Sequence, residues 1–320
     1  MAQHFLLSAA ARTLKLRDIY RMSDEAAFEA FKAIRFAENG GEAFCPACGC
    51  VETYAITTRR KWKCAGCHKQ FSVTSGTIFA SRKMAFVDLL AAICIFVNAA
   101  KGISALQLSR DLGCQHKTAF VLAHKLREAM GNGNEAITLS GVVEVDGAYF
   151  GGHVRPENRK GDRKDRRRSE NKDPDRRVVV AIRERGGRVL PFVRKDEAEG
   201  VKIVRDRVAL GSELHADEAG HWDILEAQYH AFRINHSLAY SDGGACTNQA
   251  ESYFSRLRRM VQGQHHHVSP QYLHQYANEA AWREDNRRVD NGGAFKLVGM
   301  AALNSPVSRQ WKGYWQRRAA

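Results

Sequence analysis

The run Gly141-Val-Val-Glu-Val-Asp-Gly-Ala-Tyr-Phe-Gly-Gly152 puts an acid where acids are costly. Val142, Val143 and Val145 are β-branched and two glycines close the run, so it reads as a short buried strand. Asp146 stands in its middle, two residues after Glu144. A carboxylate in a core strand needs a cationic partner or a hydrogen-bonded turn. A divalent metal is one such partner, because hard cations take oxygen ligands. A Lys or Arg, or a turn capped by Asp146, is the plainer reading. Glu213-Leu-His-Ala-Asp217 is a second short strand that ends in an acid, with Glu218 beside it.

A different metal chemistry is written in Cys45-Pro-Ala-Cys48 and Cys64-Ala-Gly-Cys67. Each pair presents two thiolates from one tight turn. Four thiolates close a tetrahedral zinc site with no open position, so the zinc is structural. Residues 53–58 and 61–63 alternate like hairpin strands and 71–74 adds a third, which predicts a zinc ribbon. Cys50 reads as a bystander and His68 as a weaker rival ligand. Arg59, Arg60, Lys61, Lys63 and Lys69 suit phosphate contacts.

The composition narrows the partners. The chain has 320 residues, a formal charge of +14 and a pI near 9.6. That balance favours a polyanion, and nucleic acid is the commonest one. No apolar run approaches the roughly 18–20 residues that span a membrane. The short patch at 5–11 is followed by Arg12, Lys15 and Arg17, unlike a signal peptide. Five of the eight cysteines fall between Cys45 and Cys67, which points to metal rather than disulfides and to a reducing cytoplasm.

The elements that must position these groups follow from periodicity. Residues 1–43 form an N-terminal helical segment, with Ser23 as a cap and Phe28, Phe31 and Ile34 at helical spacing. The ribbon occupies 44–80. In 81–133 a buried helix at 86–97 precedes two shorter ones, 104–112 and about 117–130, separated by Gly113. That is a helix-turn-helix outline, or a plain helical hairpin. In the DNA-binding case Gln115, His116, Lys117 and Thr118 face base edges. Residues 134–290 form an α/β domain of order β-β-β-α-β-α-β, with a helix at 198–209 and another at 221–228. Gly186-Gly187 turns a hairpin. If the strands of Asp146 and Asp217 are adjacent and parallel, their carboxylates meet. The segment 155–177 carries eleven Lys/Arg and six Asp/Glu, a solvated loop or a phosphate-binding flap. Residues 248–259 read as a helix with Glu251, Phe254 and Arg258 on one face. His265-His-His267 reads as a loop beside a closing helix at 271–288. The tail, 291–320, mixes Trp311, Tyr314 and Trp315 with bases, for packing or for stacking on DNA.

Taken in order, these motifs resemble one family. They are the four-cysteine ribbon, Val-Glu-Val-Asp-Gly-Ala-Tyr-Phe-Gly-Gly, His-Ala-Asp-Glu, Ile-Asn-His, Thr-Asn-Gln-Ala-Glu-Ser-Tyr-Phe-Ser-Arg-Leu-Arg-Arg and Gly-Gln-His-His-His-Val-Ser. From Cys45 to about Arg288 the chain is similar to bacterial DDE transposases of insertion-sequence family 1595 (ISXO-like). The resemblance implies an RNase H-like mixed sheet flanked by helices. It implies three metal-binding side chains, with Asp146 and Asp217 as the first two. Glu251 matches the usual third and Arg258 a basic residue seven positions later. Asn248 is the alternative third ligand. An ionised Glu binds Mg²⁺ better than an amide does, which favours Glu251.

The implied chemistry is DNA cleavage at element ends and strand transfer to target DNA by two Mg²⁺ or Mn²⁺ ions, with one structural Zn²⁺. Arg258 or Arg259 would contact phosphate. Element-end and target DNA are the implied partners, with a homo-oligomer on DNA, no membrane, and a nucleoid-associated cytoplasmic location. Competing readings are an RNase H-like nuclease or resolvase without strand transfer, and a non-catalytic DNA-binding regulator.

Overall fold

The computed structural model describes residues 5–151, 157–165, 168, 171, 173–234 and 246–318. Gly152, Arg155, Asn235 and His236, which the motifs above include, lie outside the described residues. The chain divides into two compact units, Met1–Asn132 with Asn286–Ala320, and Gly133–Asp285.

The first unit begins with α1 (Leu16–Tyr20) and α2 (Asp24–Arg35). Ser23 caps α2 by accepting from the Ala26 amide at 3.1 Å, and Asp24 and Glu25 suit the positive end of its dipole. The ribbon follows as β1 (Thr53–Ile56), β2 (Lys61–Cys64) and β3 (Gln70–Ser72), all antiparallel. Arg60, expected among the phosphate contacts, instead donates to Asp24 and Glu25 at 2.6 and 2.7 Å. It fastens the ribbon to α2. Trp62 stacks between Phe28 and Phe71, at 6.1 and 5.8 Å between ring centroids.

The thiols of Cys45, Cys48, Cys64 and Cys67 all lie within 4.8 Å of one another, and Cys50 and His68 stand outside the group. Two of the sulfur pairs are 3.6 and 3.5 Å apart. Zinc bonds of about 2.3 Å to four thiolates separate the sulfurs by about 3.8 Å, so the four residues fit that ion. The Cys67 amide donates to the Cys64 sulfur at 3.4 Å, which lowers that thiol to about 6 and favours the thiolate a metal needs.

Beyond the ribbon come α3 (Phe86–Asn98), α4 (Ala105–Asp111) and α5 (His116–Gly131). Helix α3 is buried on most sides. Ser104 caps α4, and Gly113, at φ +61°, turns the chain into α5. The helix-turn-helix outline is present.

The second unit is a five-stranded sheet of β4 (Val142–Phe150), β5 (Arg177–Glu184), β6 (Val189–Arg194), β7 (Glu213–Asp217) and β8 (His230–Ile234). Their order is β6-β5-β4-β7-β8. Strands β4, β5 and β6 are antiparallel neighbours, whereas β7 runs parallel to both β4 and β8. Along β4 the two-residue period sorts side chains to two cores. Val143 and Val145 pack with Ile203 and Val204 of α6 (Gly200–Arg207) and with Trp222. Ala148 and Phe150 pack with Tyr253, Phe254 and Leu257 of α7 (Asn248–Met260) and with Leu273 and Ala277 of α8 (Leu273–Asp285). Tyr253, Phe254 and Leu257 are fully buried, each stabilising the docked helix by about 1.5–3 kcal/mol relative to exposure. This is the expected mixed α/β sheet flanked by helices. The helix predicted at 221–228 is instead a 3₁₀ stretch, Gly220–Leu225. There Trp222 lies so close over Gly200 that a Cβ would sit 2.6 Å from its ring.

The last residues return to the first unit as α9 (Asn291–Asn304) and α10 (Tyr314–Arg318). The Asn291 amide oxygen accepts from the Thr13 and Leu14 backbone, both at 2.9 Å. Gly299 lets α9 approach α2, since a Cβ there would lie 3.2 Å from Ile34. Helix α9 and Trp311 thus bury side chains within the first unit.

Two outcomes follow. Cys64→Ser should lower bound zinc below one ion per chain and shift the emission of Trp62, read by metal analysis and fluorescence. In α8, burial pushes Asp285 up from 3.8 to about 7, although it accepts from the Val189 amide. The folded state then holds a proton that the unfolded chain has released, so stability falls as pH rises from about 4 through 7. Asp285→Asn keeps the acceptor. Between about pH 5.5 and 8 its urea-unfolding free energy should fall by about 2 kcal/mol less than the wild type's.

Candidate active site

The site begins where a ladder stops. Strands β4 and β7 pair through Val142↔Glu213, Val143↔Leu214 and Glu144↔His215, and no further. Asp146 and Asp217 each stand two residues beyond the last pair, so the two carboxylates face each other where the strands part. This is the carboxyl end of parallel neighbours at the point where the strand order reverses, the usual crevice for ligands in such sheets.

A third acid joins them. Ligand oxygens of Asp146, Asp217 and Glu197 all lie within 4.8 Å of one another. Glu197 opens a 3₁₀ turn, Glu197–Glu199, just before α6. A capping box fixes that turn, Asp196 accepting from Ala198 at 3.0 Å and Glu199 accepting from the Asp196 amide at 3.2 Å. Glu197 crosses β4 at Gly147, where a Cβ would lie 2.3 Å from its Oε1. Any side chain after Asp146 would expel it.

The three acids are bonded unequally. Asp146 accepts from the Gly147 amide at 2.7 Å and Asp217 from the Ala219 amide at 3.2 Å. Among the described residues, Glu197 Oε1 is buried without a hydrogen-bond partner. Burial, reinforced by Asp217, Asp146 and Asp196, pushes its carboxyl up to about 7. Burial likewise holds the nearby His221 imidazole below its usual range, against the pull of Asp217 and Asp196.

Glu144 plays a different part from Asp146. It is fully buried, and its carboxylate accepts from the Gln249 and Ala250 amides at 2.8 and 3.0 Å. It also pairs with Arg185 at 2.9 Å. The free amides of a helix start carry partial positive charge, so β4 caps α7 from outside. Arg183 ties the same helix start to the β5–β6 hairpin by donating to the Gln249 carbonyl at 2.8 Å, and it pairs with buried Glu284 of α8 at 3.2 Å.

The remaining expected residues fall as follows. Asn248 is exposed and Glu251 half-buried, both in the first turn of α7. Glu251 does not belong to the group of three. Arg258 and Arg259 are exposed at the far end of α7, Arg258 over the Phe254 ring at 5.8 Å. His265 packs against Tyr276 at 4.7 Å, and among the described residues the His265–His267 run joins no metal-fitting group. Arg176 of the basic segment lies 4.1 Å over the ring of Tyr149 in β4. In the first unit, Gln115, Lys117 and Thr118 are exposed at the start of α5. No helix among the described residues is long and apolar enough to cross a membrane.

Glu197 was not singled out in the sequence. Its run, Lys195-Asp-Glu-Ala-Glu199, looks like any solvated turn. The available signal was Gly147, a residue without a side chain directly after a buried acid.

A five-stranded mixed sheet with acids at its parallel switch point, and a separate four-cysteine ribbon, define an RNase H-like protein with a structural zinc module. Residues 138–285 match the ISXO2-like transposase domain, and residues 22–70 match the transposase zinc-ribbon domain. The chain belongs to insertion-sequence family 1595, the ISXO2-like transposases. Searches of curated proteins and of solved structures gave no match.

The cap makes a direct prediction. Glu144→Ala leaves Arg185 and two helix amides without their acceptor and should destabilise the protein by about 3–5 kcal/mol in urea unfolding. Glu144→Gln, which can still accept from the amides, should cost less.

Proposed function

We propose that this transposase cuts DNA at element ends and transfers the freed 3′ end to target DNA, using divalent metal held by Asp146, Asp217 and Glu197. The observation that carries the proposal is the convergence of three carboxylates within 4.8 Å, one with a buried oxygen that lacks a partner among the described residues. Like charges so close are costly unless a cation lies among them, and an all-oxygen donor set suits Mg²⁺ or Mn²⁺. When bound, such ions supply Lewis-acid activation of the attacking oxygen and stabilisation of the leaving one.

The chain's own residues do the rest. Backbone amides of Gly147 and Ala219 orient Asp146 and Asp217. Glu144 holds the start of α7, and with it Asn248 and Glu251, to the strand that carries Asp146. Glu251, or Asn248 in its place, completes the site from that turn. Arg258 and Arg259 meet phosphates along the exposed side of α7, and the exposed start of α5 takes duplex DNA. In the first step water attacks a phosphodiester, leaving a 3′-hydroxyl and a 5′-phosphate. In the second that hydroxyl attacks a target phosphodiester, so one bond forms as one breaks. Two element ends must be joined in one event, which calls for a homo-oligomer on DNA.

Labelled duplex carrying the DNA that flanks the gene, with Mg²⁺ or Mn²⁺, tests this. Asp146→Asn and Glu197→Gln should each lower cleavage by about two orders of magnitude or more, with DNA binding retained. Glu251→Gln and Asn248→Ala identify which residue of α7 takes part. Cleavage without joining would reduce the protein to a nuclease. Binding without either reaction in the wild type would make it a regulator.

A further inference from the structure

The last segment of the chain lies along the helix whose start is exposed for DNA. Residues His116, Phe120 and His124 form one stripe of α5. Trp311 stacks on His124 at 4.3 Å, and Trp311, Tyr314 and Trp315 all meet Phe120, at 5.8, 6.0 and 5.8 Å. The Trp315 indole N–H donates to the Lys117 carbonyl at 3.2 Å, and the Lys117 ammonium lies 5.3 Å from the Trp315 ring. Trp311 is 1% exposed. These aromatics are anchors, with their faces already used on the protein.

The bases of the segment are what remain outside. Arg309, Lys312 and Arg317 are exposed, as is Lys117. Among the described residues none of the four pairs with an acid. Arg317 donates to the Arg309 and Gln310 carbonyls, which closes the segment on itself. No Asp or Glu occurs in 305–320, nor in 112–127. Two segments in contact thus present cations with no acid inside either segment, Asp111 and Glu128 standing just beyond the second, which favours positive potential on that face.

We propose that the segment 309–317 and the first turn of α5 form one surface that binds duplex DNA through its phosphates. Trp315 holds Lys117 within that surface, the tail supplies Arg309, Lys312 and Arg317, and exposed Gln115 and Thr118 are left for base edges. The inference concerns DNA binding and does not depend on the acidic site, so it survives or fails separately from the reading of the chemistry.

The test is the salt dependence of binding to a random-sequence duplex by the full-length protein, without divalent metal. Each phosphate contact adds about 0.9 to the slope of log affinity against log salt. Arg309→Ala/Lys312→Ala, whose side chains make no internal hydrogen bond among the described residues, should flatten the slope by about 2 and weaken binding at least about tenfold at 0.1 M salt. Trp315→Ala should weaken binding about as much as Lys117→Ala does. A matched loss of two charges on α9 and near the N-terminus, Lys15→Ala/Lys296→Ala, controls for net charge. An unchanged slope in the Arg309/Lys312 variant, or an equal drop in the control, overturns the proposal.

Discussion

The second unit depends on one buried carboxylate. Glu144 sits in the central strand with no exposure to water, a position that would be prohibitive for an unpaired charge. Two helix amides and a guanidinium meet it within 3.0 Å. Because those amides begin α7, the charge is stabilised only when that helix starts at one place. The β5–β6 hairpin and α8 are drawn into the same arrangement through Arg183, which reaches both the helix start and Glu284. Breaking a buried pair costs more than the pair ever gains, so the network specifies a single arrangement rather than adding much stability.

The site is a consequence of register. Parallel pairing ends at Glu144↔His215, and one pleat further on the two aspartates face a gap instead of a ladder. A strand slip of one residue would turn Asp146 to the other face and separate it from Asp217. The hydrophobic alternation of Val143 and Val145 against Ala148 and Phe150 forbids that slip, because it would move both cores at once. The meeting of the acids and the packing of the cores are here set by the same residues.

Much of this was legible in the sequence. The valine-rich run with an acid at its centre marked Asp146, and the strand order showed that Asp217 would meet it only if their strands were parallel neighbours, as β4 and β7 are. Four cysteines at knuckle spacing defined the ribbon without help from any other element. The failures have physical causes. Glu197 enters by tertiary approach over Gly147, and a charged turn carries no periodic signal. Arg60 looked like a phosphate contact because the acids that take it lie about 35 residues away, on α2. The aromatic end of the chain matched stacking on DNA as well as packing, and only its burial against α5 separates the two. The apolar residues of 220–225 satisfy a helix pattern and a 3₁₀ turn equally over so short a stretch.

The first unit is discontinuous, with the five-stranded sheet and its covering helices α6, α7 and α8 inserted between α5 and α9. During synthesis the ribbon and α2 emerge early, but α9, which packs against α2 and α3, emerges only after the whole second unit. A ribosome that stops after Asp285 releases every acid of the site, yet leaves the first unit without α9 and the aromatic segment. Truncated copies therefore carry the chemistry's side chains on a chain whose other half cannot close.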